Sequence, residues 1–180
     1  MLELSMHILD IVENSVNAGA TQVTVSIEEN QKLDRLNIEI TDNGKGMDDA
    51  MVGKALDPFV TTKEGKRVGL GLSMLSEAAR KAGGEMTMDS RPGKGTSIRA
   101  TFELTHLDRQ PLGDMTETMI TLIIGNPDVE FRYSHKTNTS TLTWSTARIR
   151  EVFGDVFRSR PDVIDFIREE LVFNNQNIKK

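Results

Sequence analysis

The 180-residue sequence contains no cysteine, which excludes disulfide bonds, thiolate metal sites and cysteine nucleophiles. Its longest apolar run, Met119 to Ile124, is far too short to cross a bilayer. The first residues lack the basic stretch and the small-residue cleavage site of a secretory signal peptide. There is no excess of positive charge, because the net charge is −5, and this argues against nucleic acid as the main partner. We therefore expect a cytoplasmic protein with neither a membrane nor a nucleic acid as partner.

The spacing of apolar residues predicts an α+β fold. The predicted elements of residues 1–104 are a helix over 5–18, strands over 21–28 and 36–40, a short helix over 49–55 capped by Asp48, a lid-like loop over 57–68, a helix over 69–82, and strands over 85–90 and 96–104. Helices on one face of a mixed or antiparallel sheet form a two-layer sandwich.

A connector over residues 105–114 leads into a C-terminal segment. There the pattern predicts a helix over 115–124, a hairpin formed by 129–133 and 139–144, and helices over 146–157 and 161–173. Aromatic residues, including Tyr133 and Trp144, supply core material for this segment. We therefore divide the chain into a domain over 1–104 and an α/β extension over 105–180.

A row of polar side chains lies on one face of the first predicted helix. Asp10, Glu13, Asn14 and Asn17 follow the i, i+3, i+4, i+7 spacing. Carboxylate and amide oxygens suit a hydrated Mg²⁺, which takes only one or two ligands from protein. A solvated helix face is the alternative interpretation.

The segment Asp42 to Met47 places a carboxylate at a strand end beside two glycines. Such a carboxylate can accept a hydrogen bond from an exocyclic amine like that of adenine, and glycines let a flat ring approach the backbone. A simple hairpin turn explains the same residues. The segment Gly93 to Thr96 is either only a tight hairpin or a turn that places the Thr96 hydroxyl near Asp42, if the second and fourth strands are neighbours.

The segment Gly65 to Ser73 runs through glycines into a predicted helix N-terminus. Free N–H groups and the helix dipole favour a phosphate there. Lys63, Lys66 and Arg67 add positive charge nearby. The segment lacks the Gly-Lys-Ser/Thr ending of a Walker loop, and it lacks the preceding strand and the glycine spacing of a dinucleotide-binding fold. It therefore predicts an anion site that belongs to neither of these two classes.

Together and in this order, these motifs resemble the gyrase, chaperone, histidine-kinase and MutL (GHKL) superfamily of ATP-binding domains. The resemblance covers about residues 4–104 and implies the two-layer fold of the Bergerat type. Asp10–Ala20 is similar to the N box, most of all to that of the MutL branch, and Asp42–Met47 and Gly69–Ser73 are similar to the two glycine boxes. Asp57–Lys63 is similar to the Phe box of sensor histidine kinases, and Gly93–Thr96 is similar to the closing Gly-x-Gly-Thr.

The resemblance implies ATP and Mg²⁺ as ligands and a role for each matched residue. Asn14 would hold the Mg²⁺ that bridges the phosphates, and Asn17 would contact a phosphate. Asp42 would bind the adenine amine, with Thr96 sharing a bridging water. The other implied nucleotide contacts are Gly44, Gly46 and Met47 at the base, Phe59 in the Phe box, the backbone of Gly69, Leu70, Gly71 and Leu72 at the phosphates, and Lys63 at the γ-phosphate.

The sequence departs from the family at the catalytic position. ATP-hydrolysing members carry glutamate one turn before the Mg²⁺ asparagine, and here Asp10 is shorter by one methylene, which limits its reach as a base. Because the N box lies almost at the first residue, we expect a domain without the phosphoacceptor helical hairpin of a histidine kinase. His7 does not resemble a phosphoacceptor, and we expect His106 and His135 to be surface histidines.

Three functions remain open. They are a kinase-like signalling module that phosphorylates a protein partner, as anti-sigma-factor serine kinases do, a non-catalytic ATP-gated switch, and a slow ATPase. The sequence does not identify the partner, and it leaves both a monomer and a homodimer open.

Overall fold

The computed structural model describes residues 3–55, 70–154 and 162–176. Its elements are α1 (Leu4–Asn17), β1 (Gln22–Asn30), β2 (Arg35–Asp42), α2 (Asp49–Ala55), α3 (Leu70–Lys81), β3 (Met86–Arg91), β4 (Gly95–Glu103), α4 (Met115–Gly125), β5 (Glu130–Lys136), β6 (Thr141–Ser145), α5 (Ala147–Phe153) and α6 (Asp162–Gln176). The predicted elements are confirmed within the described residues, with ends that differ by a few residues. The lid-like loop over 57–68 lies outside them.

The strands form one mixed six-stranded sheet in the order β3-β4-β2-β1-β5-β6. Neighbouring strands are antiparallel except for β1 and β5, which run parallel. Every second residue is buried in β2 and in the first six residues of β1, as in a sheet that has one face covered by helices. The predicted α+β fold is therefore confirmed.

One hydrophobic core lies between this sheet face and the helices. It combines side chains from α1, β1, β2, α3 and β4 with side chains from α4, β5, β6, α5 and α6. Phe102 and Phe131 are among its largest fully buried side chains. Within the described parts of the chain, no helix has the length and apolar character needed to cross a membrane.

Helix α1 is fixed at both ends by local backbone chemistry. At its C-terminal end, Gly19 adopts a positive φ of 81°, the conformation that glycine accepts most readily. At its N-terminal end, the amides of Leu4 and Ser5 donate to the carbonyls of Pro111 and Leu112, at 2.9 and 2.8 Å. These two bonds satisfy amides that a helix leaves free, and they tie α1 to the connector before α4.

The C-terminal segment continues the same sheet through the parallel pairing of β5 with β1. Tyr133 and Trp144 are buried, as their expected core role requires. The boundary at residues 104/105 stays a prediction, because a shared sheet does not by itself define where a folding unit ends.

The prediction that His135 lies at the surface is wrong. Its side chain is buried, and its Nε2 lies 2.8 Å from Glu29 Oε1 across the β1–β5 pair. This hydrogen bond holds the pKa of Glu29 below its usual value, against a smaller opposite effect of burial and with further help from the positive charge of Arg109. The C-terminal segment and β1 are thus joined by a partly buried polar contact as well as by backbone bonds.

Candidate functional site

The pairing of β2 with β4 brings two motifs of the sequence together. Asp42, the last residue of β2, lies opposite Thr96, the second residue of β4. The expected proximity of these two residues is therefore confirmed. Ser90 on β3 links the two motifs, since its Oγ lies 2.9 Å from Thr96 Oγ1 and accepts a hydrogen bond of 2.8 Å from the Met47 amide.

The Asp42 carboxylate is buried and held from two sides. Its Oδ2 accepts a hydrogen bond of 2.7 Å from Ser15 Oγ on α1, and its Oδ1 accepts one of 2.8 Å from the Gly44 amide. A carboxylate has about four acceptor positions, so two bonds leave capacity for a ligand. Ser15 and Gly44 therefore fix the direction of this acceptor without saturating it.

Asp42 opens onto a cavity of about 230 Å³ between α1, α2, α3 and the sheet. Seven of the residues implicated by the sequence line it, namely Asn14, Asn17, Asp42, Gly46, Met47, Leu72 and Thr96. Asn14 and Asn17 form part of its α1 wall. Most of the remaining wall is apolar, formed by Ile11, Ala18, Met51, Ala55, Met88 and Ile98. A cavity with one oriented carboxylate in an apolar wall suits a flat, amine-bearing ring.

Two glycines are required for the backbone to close around this site. A Cβ on Gly46 would lie 1.9 Å from the Arg91 carbonyl oxygen, and one on Gly95 would lie 1.9 Å from the Asp42 carbonyl oxygen. Both residues also have positive φ angles, of 65° and 86°. A side chain at Gly46 would push against the end of β3 at Arg91, and one at Gly95 would push against the end of β2 that carries Asp42.

The N-terminal end of α3 packs directly on α1. A Cβ on Gly71 would lie 2.8 Å from Asp10 Cβ, so the glycine permits this close approach. Asp10, itself exposed, thus lies beside the first turn of α3. Leu70 begins α3, and its side chain is outside the described residues. Phe59, Lys63 and Gly69 also lie outside the described residues, so their predicted contacts stay predictions.

The sequence analysis missed several residues of the site. Ser15 follows Asn14, and the 100° step per residue turns it toward the sheet, so the polar row on α1 did not include it. Met51, Lys54 and Ala55 face the cavity from α2 at the i, i+3, i+4 spacing. That spacing was available in the sequence, but the direction of the face depends on how α2 packs.

The arrangement can hold Mg²⁺ only with help from a ligand. Among the residues that the structure describes, no group of three histidine, aspartate or glutamate side chains is placed to bind a metal. Asn14 lines the cavity, and its side chain carries one carboxamide oxygen. Mg²⁺ commonly takes one or two protein ligands and completes its shell with phosphate oxygens and water, so the donor set fits an ion that arrives with a nucleotide.

Comparison with known proteins agrees with this geometry. The family model described as histidine kinase-, DNA gyrase B- and HSP90-like ATPase matches residues 2–106, more than half of the 180-residue chain. The fold and the cavity thus define an ATP-binding domain of the histidine-kinase type. The chain belongs to the histidine kinase-, DNA gyrase B- and HSP90-like ATPase family.

Two curated relatives are sensor proteins. A putative sensor protein of Shewanella frigidimarina is 35% identical over 108 residues, covering 59% of this chain and 16% of the relative. The sensor protein kinase FleS of Pseudomonas aeruginosa is 34% identical over 110 residues, covering 61% of this chain and 27% of the relative. The matched part thus spans about a quarter or less of either protein.

One solved structure resembles the chain beyond the matched region. The crystal structure of the N-terminal domain of a DNA repair protein covers 87% of this chain and 58% of its own, at a TM-score of 0.54 and 19% identity. At this identity the likeness shows the fold alone.

Proposed function

We propose that the chain binds Mg-ATP in the cavity beside Asp42 and acts as a kinase-like regulatory module that transfers the γ-phosphoryl group to a protein partner. The observation that carries the proposal is the Asp42 carboxylate, which is buried, oriented by Ser15 and Gly44, and open to an otherwise mainly apolar cavity. Phosphoryl transfer needs mainly positioning and charge neutralisation. The cavity would position the base, and Mg²⁺ would neutralise the phosphates.

At the base end, Asp42 accepts a hydrogen bond from the adenine amine. Guanine carries a carbonyl oxygen at the corresponding position, which the carboxylate repels, so the site selects ATP over GTP. Thr96 holds a water that bridges to the base, and Gly44, Gly46 and Met47 shape the slot. Met47 and its apolar neighbours pack against the ring.

At the phosphate end, Asn14 binds Mg²⁺ and Asn17 contacts a phosphate. The backbone amides of Gly69 to Leu72 bind phosphate oxygens at the start of α3, where the helix dipole favours negative charge. Lys63 would neutralise the γ-phosphate, and Phe59 would contact the nucleotide from the same predicted loop. When bound, Mg²⁺ neutralises charge that develops on the phosphates.

Asp10 lies beside the first turn of α3, which is where the reacting phosphate would arrive. Its short side chain reaches less far than glutamate, and a general base must come within about 2.6–3.2 Å of the proton it removes. Hydrolysis needs a base that activates water, whereas transfer to a partner can use a nucleophile activated within the partner. This difference favours the kinase over the slow ATPase.

A second candidate is a switch in which ATP binding, without transfer, changes how the C-terminal segment meets a partner. It is favoured by the bonds from the first amides of α1 to the connector before α4. Asn14 lies on the same helix, so a shift of α1 on nucleotide binding would reach that segment.

One labelling experiment tests these alternatives. The protein is incubated with γ-labelled ATP and Mg²⁺, alone and with the proteins encoded beside it. Label on a partner, lost in Asp42→Asn, supports the kinase. Free phosphate without labelled protein, lost in Asp10→Asn, contradicts it in favour of the ATPase. Tight ATP binding with neither product contradicts both and supports the switch. Asp108→Asn, an exposed carboxylate of the connector, is the matched control.

A further inference from the structure

We propose that Lys54 is a phosphate-binding residue of the nucleotide site and holds the phosphate chain from the α2 side. This inference rests on the proposed ATP site and adds a cation that none of the sequence motifs contains. It assigns to α2 a direct part in binding the nucleotide.

The first support is the position of Lys54. It lines the cavity together with Met51 and Ala55, which share its face of α2. Two of these residues are apolar, so the face presents a single charge to the cavity. The long side chain of lysine can pack its methylenes along Met51 while its ammonium group reaches solvent or an anion.

The second support is the charge of the cavity wall. Among its described lining residues, Asp42 is the only acid, and it is already held by Ser15 and Gly44. Lys45 and Lys54 are the two bases. The wall therefore carries more positive than negative charge, although the whole chain has a net charge of −5. Such a local excess fits an anionic ligand.

The third support is that no carboxylate of the described residues neutralises Lys54. In the described part of the chain its ammonium group forms no ion pair, whereas Lys81, Arg99 and Lys136 each lie within 2.9 Å of a glutamate oxygen. Lys54 is exposed at the cavity. Its charge is therefore available to a phosphate, the main anionic group of a nucleotide that an ammonium can contact.

A simpler interpretation is that Lys54 stabilises the C-terminal end of α2 through the helix dipole. That role would change the stability of the protein and would not distinguish ATP from adenosine. The two interpretations therefore differ in their ligand dependence, which a binding experiment measures.

The test is titration calorimetry with ATP, ADP and adenosine in Mg²⁺ buffer on the full chain. Lys54→Met removes the charge and keeps side-chain length and helix propensity. We expect it to weaken ATP about fivefold, the size of a partly exposed ionic contact of about 1 kcal/mol. Adenosine binding should stay unchanged, and Lys54→Arg should restore most of the ATP affinity. The salt dependence of ATP binding should also be shallower in Lys54→Met.

The matched control is Lys32→Met, in the turn that follows β1 at the end remote from Asp42. It removes the same charge and should leave both affinities unchanged. An equal loss for ATP and adenosine in Lys54→Met, or no loss for either, overturns the inference. Asp42→Asn separates a failure of the Lys54 inference from a failure of the proposed ATP site. If Asp42→Asn weakens ATP and Lys54→Met does not, only the Lys54 inference fails, and if Asp42→Asn has no effect, the proposed site fails as well.

Discussion

Replacement of Ser15 by alanine tests whether the orientation of Asp42 controls nucleotide recognition. Ser15 Oγ donates to Asp42 Oδ2 at 2.7 Å, and both residues are buried, at 5% and 8% exposure. A hydrogen bond to a charged group contributes about 1.5–3 kcal/mol. We expect a loss at the lower end of this range, because the Gly44 amide stays bound to the other carboxylate oxygen and water can enter the cavity. The free energy of unfolding should therefore fall by about 1.5 kcal/mol.

The same loss affects binding. Without Ser15 the carboxylate adopts other directions, and the fraction of molecules that is competent to bind falls by up to about tenfold for 1.5 kcal/mol. We expect the dissociation constant for ATP to rise about threefold to tenfold and the preference for ATP over GTP to shrink. Urea unfolding and titration calorimetry measure the two effects.

Ser5→Ala is the matched control, because Ser5 is a buried serine of the same helix and does not line the cavity. It should leave nucleotide affinity unchanged. Wild-type affinity and selectivity in Ser15→Ala would refute the reasoning, and so would an equal loss in Ser5→Ala, since the effect would then belong to α1 as a whole.

Two further predictions concern stability. Gly46→Ala should lose more than about 2 kcal/mol of unfolding free energy, because its Cβ would meet the Arg91 carbonyl at a position with positive φ. Gly53→Ala should gain up to about 1 kcal/mol, because its Cβ would have no neighbour within 4 Å and alanine favours a helix. Thermal unfolding of both variants measures this contrast. The depressed pKa of Glu29 gives stability that is present above the unfolded value of 4.5 and is lost as pH falls through the lower folded value. Urea unfolding over a pH series should therefore show a flatter acid limb in Glu29→Gln, and equal acid limbs would contradict the assigned role of the His135 hydrogen bond.

Local patterns predicted most of the fold, because period and turn chemistry are properties of adjacent residues. The polar face of α1 and the Asp48 cap of α2 are examples, and the Asp48 side chain indeed accepts from the Met51 amide at 2.8 Å. The parallel pairing of β1 with β5 was not predicted, because it joins segments more than 100 residues apart. For the same reason the burial of His135 against β1 was missed.

The residues of the candidate site likewise fall into those that the sequence predicted and those that it did not. Asn14, Asp42 and Thr96 were found because each lies in a motif whose residues are contiguous. Ser15 and Lys54 were missed because their part depends on the direction in which a helix face packs, which a single sequence leaves open. The contact between Asp10 and Gly71 needs the packing of α3 on α1, and neither motif contains that information.

The most direct test of the central claim is the affinity for ATP, measured by titration calorimetry with Mg²⁺ and with chelator. We expect the wild type to bind ATP more tightly with Mg²⁺, Asn14→Ala to lose this dependence, and Asp42→Asn to lose affinity for ATP and adenosine alike. Asn37→Ala, on the sheet face opposite the buried residues of β2, should behave as the wild type. Unchanged Mg-ATP affinity in both Asn14→Ala and Asp42→Asn would contradict the placement of the nucleotide in this cavity.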